Sequence, residues 1–270
     1  MLRRTLNRWR LAIKLVPLVV VVATLKLAFS GLGLDDAALN PLYTGLVAGT
    51  IFLLGFLLAG TLADYKESEK MPGDLAASLE TISDECLILY EDKQASAARE
   101  CLAHLHRLAG SIEAWLRRRE RTDVVLEAIS GLNSHFLAFE PLTQPNFIVR
   151  LKQEQSAIRR MTIRINAIRE TSFVMAGYAI AELTSLLLVG GLLFTEVGEL
   201  GLEVFLVSTI AFLLGYMLLL IRDLDDPFDY DGADQAGAAE VSLAPLEQLR
   251  GRLASEIAEA TGSVPEPAGS

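Results

Sequence analysis

Two charges inside otherwise apolar stretches are the residues best placed to do chemistry. Glu182 lies near the middle of the run 173–194, and Lys26 lies toward the end of the run 11–30. A carboxylate at membrane depth is costly unless it faces protein or water, so a functional role is its default reading. Lys26 is a candidate partner. Both runs point the same way, and helical rise puts Lys26 about 7–8 Å further along the axis. The alternative is that Lys26 snorkels outward while Glu182 sits protonated between helices.

A second pattern is an aromatic stripe. Ala48, Phe52 and Phe56 recur at a spacing of four, and Gly45, Gly49, Gly55 and Gly60 would allow another helix to approach closely. The stripe fits a packed span. It also fits a pore helix whose side chains narrow an aqueous path and gate it by dewetting. Directly after it comes the charged run Asp64-Tyr65-Lys66-Glu67-Ser68-Glu69-Lys70-Met71-Pro72.

Other chemistry-bearing residues read more plainly. Cys101-x-x-His104-x-His106, with Cys86 upstream, holds metal-ligand types, but positions 104 and 106 lie about 200° apart on a helix. One tetrahedral zinc would not collect them, so core thiols and partly exposed imidazoles are expected and no metal or cofactor. Arg117-Arg118-Arg119-Glu120-Arg121 reads as a solvated helix face or a site for anionic headgroups. No nucleotide loop, no Ser/His/Asp spacing and no paired histidines on one helix face occur, which argues against an enzyme.

These residues need helices to position them. Four runs suit a span of ~20 apolar residues: 11–30, 44–63, 173–194 and 202–221, the last with Glu203 in its first turn. Between the second and third lies a stretch with helical periodicity throughout. Pro72 suits a first helical position before Leu75, Leu79, Ile82 and Cys86. Leu102, Leu105 and Leu108 mark a second helix, continued past Gly110 by Ile112 and Leu116. Thr122 or Asp123 would cap a third, carrying Val125, Ile129, Leu132 and Phe136. After a break over 140–145, Leu151, Ile158, Ile165, Met161 and Ile168 mark a long helix that would run on into the third span. Leu246, Leu249 and Leu253 share a face in the tail, and residues 261–270, rich in Pro, Gly and Ser, read as disordered. The expected fold class is all-α: an integral membrane protein of four transmembrane helices with a helical cytoplasmic region between the second and third. Its expected segments are 1–63, 64–171, 172–222 and an acidic tail, 223–270.

Charge gives the direction. The chain has 270 residues, 51% of them hydrophobic, and a net charge of -10. Arg3, Arg4, Arg8, Arg10, Lys14 and Lys26 fall in 1–26, and fifteen more bases fall in 64–171. The connections 31–43 and 195–201 hold none, and carry Asp35, Asp36, Glu196 and Glu199 instead. Positive-inside asymmetry puts both termini and the long middle segment in the cytoplasm, with the protein in the cell (inner) membrane. Cys86 and Cys101 then meet a reducing compartment as free thiols. Arg159, Arg160, Arg164 and Arg169 lie just before the third span, where they can attract anionic lipid. An arginine-rich start, an apolar middle and Ala28-Phe29-Ser30 also permit a cleaved signal peptide. The acidic balance argues against nucleic acid.

A resemblance adds to this reading. Phe52-Leu53-Leu54-Gly55-Phe56 and Asp225-Asp226-Pro227-Phe228 resemble the bestrophin anion channels, which place Phe-x-x-Gly-Phe in a pore neck and Pro-Phe just after the last span. The 64–72 run and the Asp-Asp-Pro-Phe signature are closer still to the bacterial bestrophin-like domain family. The resemblance covers roughly 11–250. It implies a homo-oligomer in the lipid bilayer, small anions as permeant, and Ala48, Phe52 and Phe56 as neck residues, with Ala48 where bestrophins carry a bulkier apolar residue. Asp64 and Tyr65 stand where bestrophins carry tryptophans. Asp229, Asp231 and Asp234 resemble the aspartates of the bestrophin calcium clasp, without its closing Glu. The rival reading is a non-conducting scaffold whose cytoplasmic helices bind a partner protein.

Overall fold

A computed structural model describes residues 2–34, 41–170, 175–196, 198–228, 230 and 240–260. Eight helices carry them: α1 (Leu2–Gly31), α2 (Pro41–Lys93), α3 (Ser96–Leu116), α4 (Thr122–Phe139), α5 (Pro145–Glu170), α6 (Met175–Leu193), α7 (Leu200–Asp225) and α8 (Ala244–Ala260). Helices α1, α2, α6 and α7 each contain a stretch long and apolar enough to cross a membrane. The chain is an all-α, multi-pass membrane protein. It divides into two units, one formed by Met1–Tyr65 and Ser172–Pro227, the other chiefly by Lys66–Thr171 and Glu240–Ser270. Asp35, Asp36, Asp229, Asp231 and Asp234, the junction 171–174 and the tail 261–270 lie outside the described residues.

In the first unit, α1 packs on α7, and α6 on both. Leu11, Leu15, Val22 and Lys26, at helical spacing, form the buried face of α1. Gly215 lets α7 come close: a Cβ there would lie 2.8 Å from Leu15 and 3.2 Å from Leu18. Gly191 of α6 does the same for the Tyr43 ring, at 2.6 Å. Three of the glycines expected to allow close approach take no part in packing within this chain. A Cβ on Gly45, Gly49 or Gly55 would meet nothing within 4 Å. Close approach follows from which face a helix turns inward, and α2 turns Leu54 and Leu57 inward.

Lys26 is fully buried and pairs with Glu203 of α7 at 3.0 Å. Its Nζ also donates to the Thr195 carbonyl at 2.7 Å. The second carboxylate oxygen of Glu203 accepts the Gly198 N–H at 2.9 Å. The ion pair thus joins α1 to α7 and secures the connection from α6. This corrects the expected partnership of Lys26 with Glu182, which lies exposed on α6. The physical reason is level: Lys26 meets the chain at Thr195, about 20 Å along α6 from Glu182, whereas Glu203 in the first turn of α7 lies at the α1–α7 contact within reach of it.

The second unit is a helical core. Leu75, Leu79, Ile82 and Cys86 of α2, Leu102, Leu105 and Leu108 of α3, Val125, Ile129 and Leu132 of α4, and Leu151, Ile158 and Ile165 of α5 are all buried as their spacing required. Leu246, Leu249 and Leu253 bury α8 beside α3. Pro72 is a correction: it opens no helix but lies inside α2. Its ring removes the N–H that Ser68 would accept, and burial of Met71, Leu75 and Leu79 carries the helix through. The arginine run is a second correction, since residues 117–120 leave the helix as a turn. Arg118 N–H bonds the Trp115 carbonyl at 2.9 Å, and Arg119 N–H bonds that of Ala114 at 2.8 Å. This is a Schellman stop whose left-handed position, φ 57°, holds Arg118 in place of glycine. Thr122 does not cap α4. As its first residue, Thr122 accepts the Trp115 indole N–H at 3.0 Å and donates to Asn166 at 2.6 Å.

Two outcomes follow for stability in detergent. Lys26→Met strands a buried carboxylate and should cost about 3–5 kcal/mol, most of which Lys26→Met with Glu203→Gln should recover. Arg118→Gly relieves left-handed strain and should add about 1 kcal/mol, read as a higher thermal midpoint. A single Lys26 variant as stable as its parent would show that the ion pair contributes nothing.

Candidate functional site in the membrane unit

The stripe on α2 is uncovered. Phe52 is 77% exposed and Phe56 61%, and Ala48 is exposed above them. The open space at Gly45, Gly49 and Gly55 extends the same face. Leu54 and Leu57 hold the opposite face against Leu188 and Leu192 of α6 and Leu214 of α7. The arrangement therefore presents a column of aromatic and small residues, free of charge, outward from one chain. Beside it, α2, α6 and α7 enclose an apolar cavity of about 330 Å³ lined by Val47, Ile51, Leu188, Leu192, Leu213 and Met217.

The charges at the exits of the spans take separate places. Glu67 accepts from Nε and Nη2 on one edge of the Arg164 guanidinium, at 2.9 and 2.7 Å, and this pairing keeps its carboxyl below the usual carboxylate range. Lys66, Glu69 and Lys70 are exposed, and Asp64 is half-buried. After α7, Asp225 and Asp226 are half-buried, while Pro227 and Phe228 are buried in a turn. Tyr178 of α6 lies beside Asp225 and Arg222. Further along, the Tyr230 hydroxyl donates to the Val241 carbonyl at 2.7 Å under the Arg117 guanidinium. Burial raises its phenol above the ordinary tyrosine range.

The expected metal-ligand types do not meet at one point. Cys86 and Cys101 are free, buried and in contact, and a hydrogen bond to Cys101 followed by burial pushes the Cys86 thiol up. The His104 ring instead meets the Ala128 carbonyl at 2.8 Å and the His135 ring at 5.0 Å. Sequence reasoning placed Glu203 in the first turn of its span but not as the partner of Lys26, and it passed over Thr195. The usable signal was that the connection 195–201 is short and follows α6 at the level where Lys26 ends its own span.

No family model matches the chain, and no curated protein does. Solved structures do match. A variant of a bacterial bestrophin homologue from Klebsiella pneumoniae is 15% identical, with a TM-score of 0.71 over 95% of this chain and 99% of that one. The same homologue solved by zinc phasing is 14% identical, with a TM-score of 0.70 over 92% and 98%. Another solved membrane protein is 14% identical, with a TM-score of 0.74 over 93% and 100%. The fold of this chain is that of the bacterial bestrophin homologues.

Proposed function

We propose that this protein is a homo-oligomeric, bestrophin-like ion channel of the inner membrane, with both termini in the cytoplasm, in which α2 lines an axial pore for small anions such as chloride. The observation that carries this reading is the open face of α2, where Ala48, Phe52 and Phe56 are exposed among the described residues. A single chain of four spans has little room for an aqueous path, so a pore forms most easily on a symmetry axis. At that axis Phe52 and Phe56 make an apolar constriction that gates by wetting, with selectivity set elsewhere along the path.

The second reading is a non-conducting scaffold. It is favoured by a cleft of about 340 Å³ in the other unit, where Ile88, Leu89 and Phe147 lie beside Asp92, Lys93 and Gln144. Such a mixture of apolar and charged groups suits a partner segment.

Purified protein in planar bilayers separates the two. Under a chloride gradient the channel reading expects current, and expects Phe52→Ala and Phe56→Ala to enlarge it by widening the constriction. Silence from the parent and both variants across anion gradients, with and without calcium, would leave only the scaffold.

A further inference from the structure

Four charges lie within the apolar stretches short of the charged exits of α2 and α7: Lys14 in the first turn of the stretch on α1, Lys26 near its other end, Glu182 on α6 and Glu203 in the first turn of α7. Lys26 and Glu203 close on each other inside the chain. Lys14 and Glu182 make no ion pair among the described residues, and both are exposed. Each stands on an apolar face. Ile13 and Val16 flank Lys14 at 54% and 55% exposure, and Leu183 and Leu186 flank Glu182 at 55% and 70%.

Their depths match. Two contacts set the level of α1 against α6 near one end: Lys26 to the Thr195 carbonyl at 2.7 Å, and the Phe29 and Phe194 rings at 4.9 Å. Counting back from the first contact, Lys14 is about 18 Å away along α1 and Glu182 about 20 Å along α6. From the second, the distances are about 22 and 18 Å. Both estimates put the two charges on one level within a helical turn.

We propose that Lys14 of one copy pairs with Glu182 of the next copy within the membrane. An opposite charge at the same depth compensates a carboxylate on a lipid-facing surface, and apolar neighbours on both sides exclude water from the contact. The contact joins two different faces, α1 to α6, the head-to-tail kind of contact from which a ring is built when its rotation closes. The inference rests on the homo-oligomeric reading above, and adds which residues meet.

The test uses the full chain in mild detergent and in lipid nanodiscs. Lys14→Cys and Glu182→Cys are placed on separately tagged copies, co-expressed, and treated with a short bifunctional maleimide. The parent, whose Cys86 and Cys101 are buried, is the control. A mixed-tag dimer that needs both cysteines is expected. Lys14→Glu or Glu182→Lys alone should weaken association at least about tenfold, and the two together should restore it. A stable oligomer with neither cross-link nor charge dependence would overturn the pair but leave the oligomer standing. A monomeric parent would overturn both. Cross-linking confined to one chain when both cysteines share it, or Lys14 retained only by anionic lipid with Glu182→Lys harmless, would also overturn the pair.

Discussion

The absence of water in the hydrocarbon layer is the constraint on which the membrane unit depends. Each span must satisfy its own backbone, so only helices serve, and a buried polar side chain gains by finding a partner. The threonines show the rule in its mildest form. Thr24 donates to the Val20 carbonyl at 2.7 Å, Thr50 to Leu46 at 2.8 Å and Thr209 to Phe205 at 2.7 Å, each within its own helix. Lys26 and Glu203 show it at full strength, since neither can bond to its own turn and both are taken up by a contact between helices. That contact ties down the α6–α7 connection, and with it the relative level of α1 and α6.

The same solvent explains what the unit leaves open. An apolar face turned to lipid loses nothing by exposure, so burial no longer reports which residues matter. Gly191 and Gly215 allow close packing within the chain, while Gly45, Gly49 and Gly55 stand open. A face of small and aromatic residues left exposed by the described residues of its own chain is the kind of surface that a second copy would complete, and so is a carboxylate exposed among leucines. The proposed pore and the proposed ion pair are both statements about such faces.

The second unit obeys the rules of water. Its stability comes from leucine, isoleucine and valine packed between α2, α3, α4, α5 and α8, and its ion pairs are partly solvated. Arg150 with Glu85 at 3.1 Å and Arg117 with Glu247 at 2.8 Å contribute little each. Its helix ends are less economical. Arg118 and Gln94 occupy left-handed positions that glycine would fill without strain, so the chain gives up a little stability at both turns.

The sequence by itself determined the four spans and the buried faces of the helical region, because hydropathy and helical period act through nearest neighbours along one helix. Leu75, Leu79, Ile82, Val125, Ile129 and Leu253 are buried where periodicity required. It misjudged Pro72, because a helix interrupted by one missing hydrogen bond survives when packing on both sides holds it. It misjudged the partner of Lys26, because pairing depends on the relative level of packed helices, and α1 meets α6 at Thr195, about 20 Å along the axis from Glu182. Tertiary structure alone decided which glycines are approached, which acid meets Lys26 and which face of α2 stays open, since each is set by rotation and crossing of helices that one-dimensional spacing does not contain.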